Sequence, residues 1–329
     1  MPKRWRSFPM PLAGQISPRA SQRSSPSASR SSDRMDGMAS PATVRRRYVD
    51  GPFGQIHVRE AGQPDPARPS LACFHMSPMT GRTFERFMGL LSAISGRHVM
   101  AFDTPGFGMS DAPPRPPAIA DYADALIAGI EAIVGDRAVD LMGYHTGSMI
   151  ACQLAAERPR QIRRLVLVSA PVFTAEDLAQ MRAEYRHRMP EADGSHILHR
   201  WQRFHHHFSA GGLPLDAIND AFPDGLMGRN IEHWGHDAAF GFAPGMRLAD
   251  VDQPVLLLNP EDDLRAHTLP APALLSHARM VMLDGWGHGF LDLHAKEAAA
   301  LVESFLAAQA DPFAALTLPA CTRKPVLSA

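Results

Sequence analysis

Two histidines and a pair of neighbouring aspartates stand where this chain could do chemistry. His145 lies in Gly143-Tyr144-His145-Thr146-Gly147-Ser148, and His288 in Asp284-Gly285-Trp286-Gly287-His288-Gly289-Phe290. Asp262 and Asp263 close the segment Asn259-Pro260-Glu261-Asp262-Asp263. An imidazole has an ordinary pKa of ~6.5, so much of it is free base near neutral pH. It can attack an activated acyl carbon or act as a general base. A carboxylate that accepts its N–H fixes tautomer and direction. A histidine between glycines on a loop is seldom a core residue. Ser148 could offer a hydroxyl, but it lies three residues further on, about one helical turn deep. It reads better as a small residue that permits close packing.

These residues become neighbours only if the elements before them are parallel strands. The apolar runs Leu71–Phe74, His98–Phe102, Val139–Met142, Leu165–Ser169, Val255–Leu258 and Met280–Leu283 read as strands. Helical spacing follows most of them, at Phe84–Ile94, Tyr122–Val134, Met149–Ala156, Pro270–Ser276 and Ala295–Ala308. Tyr48-Val49 and Gln55–Arg59 flank Asp50-Gly51-Pro52 as an antiparallel hairpin. Repeated strand–helix units imply a mostly parallel sheet covered on both faces. Such sheets bind ligands beyond the carboxyl ends of their strands, and both histidines and both aspartates follow strands directly.

The alternation breaks between 174 and 250, a helix-like stretch rich in His, Arg and aromatics that reads as an inserted helical cap. The expected organisation is a disordered tail over 1–44, a core over 45–173 and 251–310, the cap over 174–250, and a loose tail over 311–329. The cap holds His196, His199, His205, His206, His207, His233 and His236. Consecutive histidines on a helix point ~100° apart, so His205–His207 cannot chelate together. No carboxylate or cysteine completes a ligand set at familiar spacing. No metal and no cofactor are therefore expected. The cap aromatics, among them Trp201, Phe204, Phe208 and Phe240, suit a pocket lining or the cap's own core equally.

In combination these segments resemble the α/β-hydrolase fold family over about Arg45–Ala308. Gly143–Gly147 looks like its G-x-S-x-G nucleophile elbow, with histidine in place of the nucleophile. The order of nucleophile position, acid, then histidine is the order that family uses. Its acid usually lies in G-x-x-D. Setting Pro260 on that glycine selects Asp263, with Asp262 as runner-up and the other acid a surface turn. Gly285–His288 is similar to the closing G-x-G-H motif. Asp103-Thr104-Pro105-Gly106-Phe107-Gly108-Met109-Ser110 looks like the D-x-P-G-x-G-x-S turn that shapes the loop under the site. His75-Met76-Ser77-Pro78 takes the place of the oxyanion loop, with Met76 replacing the usual glycine. It resembles a subgroup with H-x-[ST]-P in this loop and G-x-H-T-G at the elbow. The resemblance implies catalysis by His145, Asp263 and His288, and an oxyanion hole from the backbone N–H groups of Thr146 and Ser77 or Met76.

Three functions fit. The first is hydrolysis of a small ester or related acyl compound through an acyl-imidazole on His145, which His288 then clears with water. The second is cofactor-free acid–base chemistry of a lyase, isomerase or oxygenase kind. The third is ligand binding without catalysis, which the retention of Asp263 and His288 argues against.

Composition narrows the partners. A formal charge of −1 over 329 residues gives no electrostatic case for nucleic acid or an anionic membrane. No run of 18 apolar residues exists to span a bilayer. Cys73, Cys152 and Cys321 make no disulfide framework, which suits a reducing, cytoplasmic setting. A small-molecule substrate is expected; the sequence says nothing of oligomeric state. The first 40 residues are rich in Ser, Arg and Pro and poor in acids. They lack the apolar stretch of a secretory signal, and their prolines argue against an amphipathic transit helix. Lacking apolar periodicity, this tail should be dispensable. A chain starting near Ala42 is expected to keep the full-length melting temperature in a thermal scan, and a marked drop would overturn that reading.

Overall fold

The computed structural model describes residues 40–242 and 247–320. Nearly all of the N-terminal tail, Cys321 and the last eight residues lie outside the described residues. Eight strands form one sheet in the order β1-β2-β4-β3-β5-β6-β7-β8. They are β1 (Val44–Gly51), β2 (Gly54–Ala61), β3 (Ser70–Phe74), β4 (Val99–Phe102), β5 (Val139–Tyr144), β6 (Ile162–Val168), β7 (Val255–Pro260) and β8 (Ala278–Leu283). β1 and β2 form the expected antiparallel hairpin, β2 runs antiparallel to β4, and every later pairing is parallel. The central strands β3, β4 and β5 are buried along their whole length, as a sheet covered on both faces requires.

The helices are α1 (Glu85–Ser95), α2 (Ile119–Val134), α3 (Thr146–Glu157), α4 (Ala175–Glu184), α5 (Ser195–Ala210), α6 (Leu215–Ala221), α7 (Trp234–Phe242), α8 (Arg265–Thr268), α9 (Phe290–Leu293) and α10 (Ala295–Ala307). One sheet face packs Leu126 and Ile130 of α2 and Ile150 and Leu154 of α3. The other packs Phe87 and Leu91 of α1 and Leu301 and Phe305 of α10. Helices α4 to α7 fall between β6 and β7, where the alternation breaks. Among the described residues no helix is long and apolar enough to cross a membrane. Cys73 and Cys152 are buried and free.

Two expectations need correction. The helix expected over Pro270–Ser276 is a single 3-10 turn, Ala271–Leu274, after the short α8. Pro270 and Pro272 lack the N–H groups a continuous helix would use. The C-terminal segment is also less loose than expected as far as residue 320. Phe313 stacks on Phe305 at 5.6 Å, and its carbonyl accepts from Arg279 Nη1 at 2.8 Å. An aromatic ring with core to cover is reason enough for that stretch to pack.

Register sets the site. Tyr144 pairs with Val168, Val168 with Leu258, and Leu258 with Val281. The residues just beyond these ends, His145, Ser169, Asp262, Asp263 and the loop to His288, therefore gather at one edge of the sheet.

Candidate active site

The turn into α3 is tight enough to explain both of its glycines. A Cβ on Gly147 would meet the Phe74 carbonyl oxygen at 2.0 Å, and one on Gly143 the Gly147 oxygen at 2.3 Å. Between them His145 takes φ 49° and ψ −111°, a left-handed backbone that a bulky residue adopts only when its surroundings impose it. Its N–H donates to the Val168 carbonyl at 3.0 Å, which fixes the turn to β6. Ser148 is fully buried and donates to the carbonyls of Gly143 and Val168, both at 2.9 Å. It braces the turn and does not face the site.

Each histidine has its own carboxylate. His288 Nε2 lies 2.9 Å from Asp263 Oδ1, and His145 Nε2 lies 2.9 Å from Asp262 Oδ2. The two imidazole rings meet edge to face with centroids 5.4 Å apart. The reading of the second acid as a surface turn is thus corrected. The Asp262 side chain is 0% exposed and also accepts from Ser169 Oγ at 2.6 Å and from the Leu264 N–H at 3.0 Å. Adjacent residues of a turn can aim in different directions, so one acidic pair serves two rings. The signal was present in the sequence as two acids together after a strand.

Electrostatics follow from this pairing. Burial pulls the His145 pKa down, but the charge and hydrogen bond of Asp262 outweigh it and hold the pKa above the ordinary imidazole value. Burial raises Asp262, and His145 reverses that, leaving its carboxyl below the usual range. Asp263 is likewise held low against burial, by its hydrogen bond to His288 and the charge of His145.

The inserted helices complete the surroundings. Tyr185, just beyond α4, donates its hydroxyl to Asp263 Oδ2 at 2.8 Å, and the Arg203 guanidinium lies 4.2 Å above the Tyr185 ring. Sequence reasoning missed Tyr185, since nothing local marks a contact 78 positions away. Of the histidines between β6 and β7, His199, His207, His233 and His236 line the cavity above the site. Burial pushes His207 down to about 4 and His236 down to about 3, so both are neutral near pH 7. His196 instead accepts from the Glu191 N–H at 3.1 Å, and His205 packs on Trp201.

That cavity holds about 200 Å³, and His145, Asp263 and His288 line it together with Met76, Phe204 and Phe208. A smaller void of about 40 Å³ runs past Ser77, Thr146 and Phe240. Among the described residues the backbone N–H groups of Met76, Ser77 and Thr146 make no backbone hydrogen bond. The loop carrying Met76 and Ser77 is pinned by His75, which is buried. Its Nδ1 donates to the Met76 carbonyl at 2.9 Å, and its Nε2 accepts from the Thr104 N–H at 2.9 Å. The Asp103 turn sits behind it. There one buried carboxylate accepts from His57 Nδ1 at 2.8 Å, Arg59 Nη1 at 3.1 Å, and the N–H groups of Gly81 and Met109 at 2.8 and 3.0 Å.

Two overlapping sets here have metal-ligand chemistry. Donor atoms of His145, Asp262 and His288 lie within 4.8 Å of one another, and so do those of His207, Asp263 and His288. Histidine and aspartate suit zinc. In this structure His145 pairs with Asp262 and His288 with Asp263, while His288 Nδ1 has no hydrogen-bond partner among the described residues.

Comparison with known proteins agrees with this architecture. The family model described as alpha/beta hydrolase fold matches residues 72–215. A pimeloyl-[acyl-carrier protein] methyl ester esterase of Neisseria meningitidis is 28% identical over 226 residues, which is 63% of this chain and 82% of that protein. The biotin biosynthesis bifunctional protein BioHC of Teredinibacter turnerae is 30% identical over 143 residues, 42% of this chain. The match spans only about a quarter, 24%, of that longer relative. Epoxide hydrolase A from Mycobacterium thermoresistibile superposes with a TM-score of 0.67 at 17% identity, covering 81% of this chain and 99% of that one. The enol-lactonase from Burkholderia xenovorans gives 0.64 at 18%, covering 80% and 100%.

Proposed function

We propose that this chain, which has the α/β-hydrolase fold, hydrolyses a small carboxylic ester or related acyl compound, with His145 as the nucleophile. The observation that carries the reading is the pairing of each imidazole with a separate carboxylate, side by side under one cavity. Its likeness to a methyl ester esterase favours the same reaction class.

Asp262 takes the Nε2 proton of His145 in a hydrogen bond, which leaves Nδ1 as the attacking atom. Nδ1 adds to the acyl carbon, and the carbonyl oxygen becomes an oxyanion held by the N–H groups of Thr146 and Ser77 or Met76. The carbon–oxygen bond of the ester then breaks, and protonated His288 gives the leaving alkoxide its proton. Asp262 balances the charge of the acyl-imidazolium. Neutral His288 next takes a proton from water, the resulting hydroxide attacks, and the acyl–nitrogen bond breaks to release the acid and restore His145. Asp263 accepts from His288 Nε2, so the mobile proton sits on Nδ1, a buried nitrogen with no hydrogen-bond partner among the described residues. Helices α4 to α7 act as the cap that selects the substrate.

The test is acid-quenched mass spectrometry during turnover of an activated aryl ester. An acyl adduct is expected on the peptide carrying residues 143–148, and His145→Ala should abolish both adduct and turnover. One observation favours a second reading. An imidazole whose basicity a buried carboxylate raises also suits a general base, in cofactor-free lyase, isomerase or oxygenase chemistry. Turnover that depends on His145 without any adduct at early quench times would favour it.

A further inference from the structure

The cavity above the histidines is apolar at its floor and basic at its mouth. Met76, Met79, Phe204, Phe208 and Phe222 line the floor, and Phe204 and Phe208 stack at 4.2 Å. Arg186, Arg188, Arg200 and Arg203 line the cavity too, Arg186 and Arg188 at its exposed side, with two carboxylates, Glu232 and Asp263, among the lining residues. Each carboxylate has a partner, although Glu232 Oε2 makes no hydrogen bond among the described residues. Glu232 pairs with Arg200 at 2.5 Å, and Asp263 accepts from His288 and Tyr185. Arg203 is held over Tyr185, and its Nη2 lies 3.6 Å from Glu184 Oε1. Arg186 and Arg188 are exposed and have no ion-pair partner among the described residues. Burial, then the charges of Arg188 and Arg203, depress the pKa of His199, so the two guanidiniums add their fields at this wall.

A mouth with unpaired guanidiniums above an apolar floor is matched by one kind of molecule. We infer that the substrate is an ester carrying an anionic oxygen terminus, a carboxylate or a phosphate, separated from the scissile bond by an apolar stretch. The apolar stretch lies against the floor, and Arg186 and Arg188 receive the anion. Guanidinium is suited to this because its planar fork meets two oxygens at once. The inference rests on the hydrolase reading for its choice of ester.

The experiment compares esters of one chain length that differ only at the far end. The p-nitrophenyl monoester of octanedioic acid ends in carboxylate, p-nitrophenyl octanoate ends in methyl, and a third ester ends in phosphate. The wild type is expected to prefer an anionic ester over the neutral one by about tenfold in kcat/KM, roughly the effect of one charge-assisted hydrogen bond. That ratio should fall with added salt, because charges at a solvent-facing mouth are screened. In Arg186→Gln/Arg188→Gln the ratio should collapse towards one. The carboxylate and phosphate arms show which anion fits better. A ratio near one in the wild type, or one that survives in the double variant, overturns the inference while leaving ester hydrolysis standing. Calorimetry with octanedioate separates the opposite failure. Arginine-dependent binding of the diacid without cleavage of any ester upholds the anion site and overturns the hydrolase reading. Neither binding nor cleavage overturns both.

Discussion

Asp262→Asn is expected to lower kcat/KM by about 10²–10⁴-fold, the range for a group that tunes an acid–base catalyst, and to move the acid limb of its pH profile to lower pH. The direction follows from the causes already described. Asp262 is the main influence holding the His145 pKa above the ordinary imidazole value, and burial acts in the opposite sense. As the proposed nucleophile, His145 would have to lose its proton before attacking, which sets the wild-type limb above the ordinary imidazole value of about 6.5. With the carboxylate gone, burial prevails over a weaker pull from Asp263, and the limb falls. Asp263→Asn should cost about 10⁴, as loss of the orienting acid does in a serine triad, because His288 loses its partner. The sequence alone suggested that Asp263 would matter far more than Asp262; the geometry gives each acid its own histidine, so a large loss is expected from both. A kcat/KM profile for Asp262→Asn with an unmoved limb, or with near-wild-type height, would end the nucleophile assignment.

The second large effect is on stability. Asp103→Ala is expected to cost about 3–5 kcal/mol, the usual result of breaking a buried ion pair from one side. Asp103 is buried and answers His57, Arg59 and two backbone N–H groups; the variant leaves all four facing an alanine. Burial raises the Asp103 pKa, but the hydrogen bond to His57 and the charge of Arg59 outweigh it and hold the carboxyl low. A carboxyl depressed in the folded state contributes stability above its unfolded pKa of about 3.9 and loses it as pH falls through the folded value. The deficit of the variant should therefore be full at pH 7 and shrink under acid conditions. Urea denaturation at neutral and acid pH measures both, and a loss under 1 kcal/mol at pH 7 would show that the turn does not depend on this carboxylate.

The strands were legible because each is a short apolar run closed by turn residues, and in a parallel sheet the chemistry follows strand ends. His145 and His288 stood out for that reason, each flanked by glycines. Asp262 was not legible as a partner, because choosing one acid from an adjacent pair assumed a single histidine to serve. Tyr185, Arg186 and Arg188 lie in the irregular stretch between α4 and α5, whose placement relative to the sheet no period of 2 or 3.6 specifies. The C-terminal stretch around Phe313 read as loose because a single aromatic in a short segment has no periodicity to detect, though it has a core surface to cover.

The buried pair of His145 and Asp262 also constrains how such a site can change over generations. Serine at 145 would leave Asp262, 0% exposed, with hydrogen bonds only from Ser169 and the Leu264 amide and without its paired imidazole. An apolar residue at 262 would leave the imidazole of His145 without its anion. Each single exchange is disfavoured on the background of the other, so the two positions are epistatic, and any lineage moving between a hydroxyl and an imidazole elbow is expected to change them together.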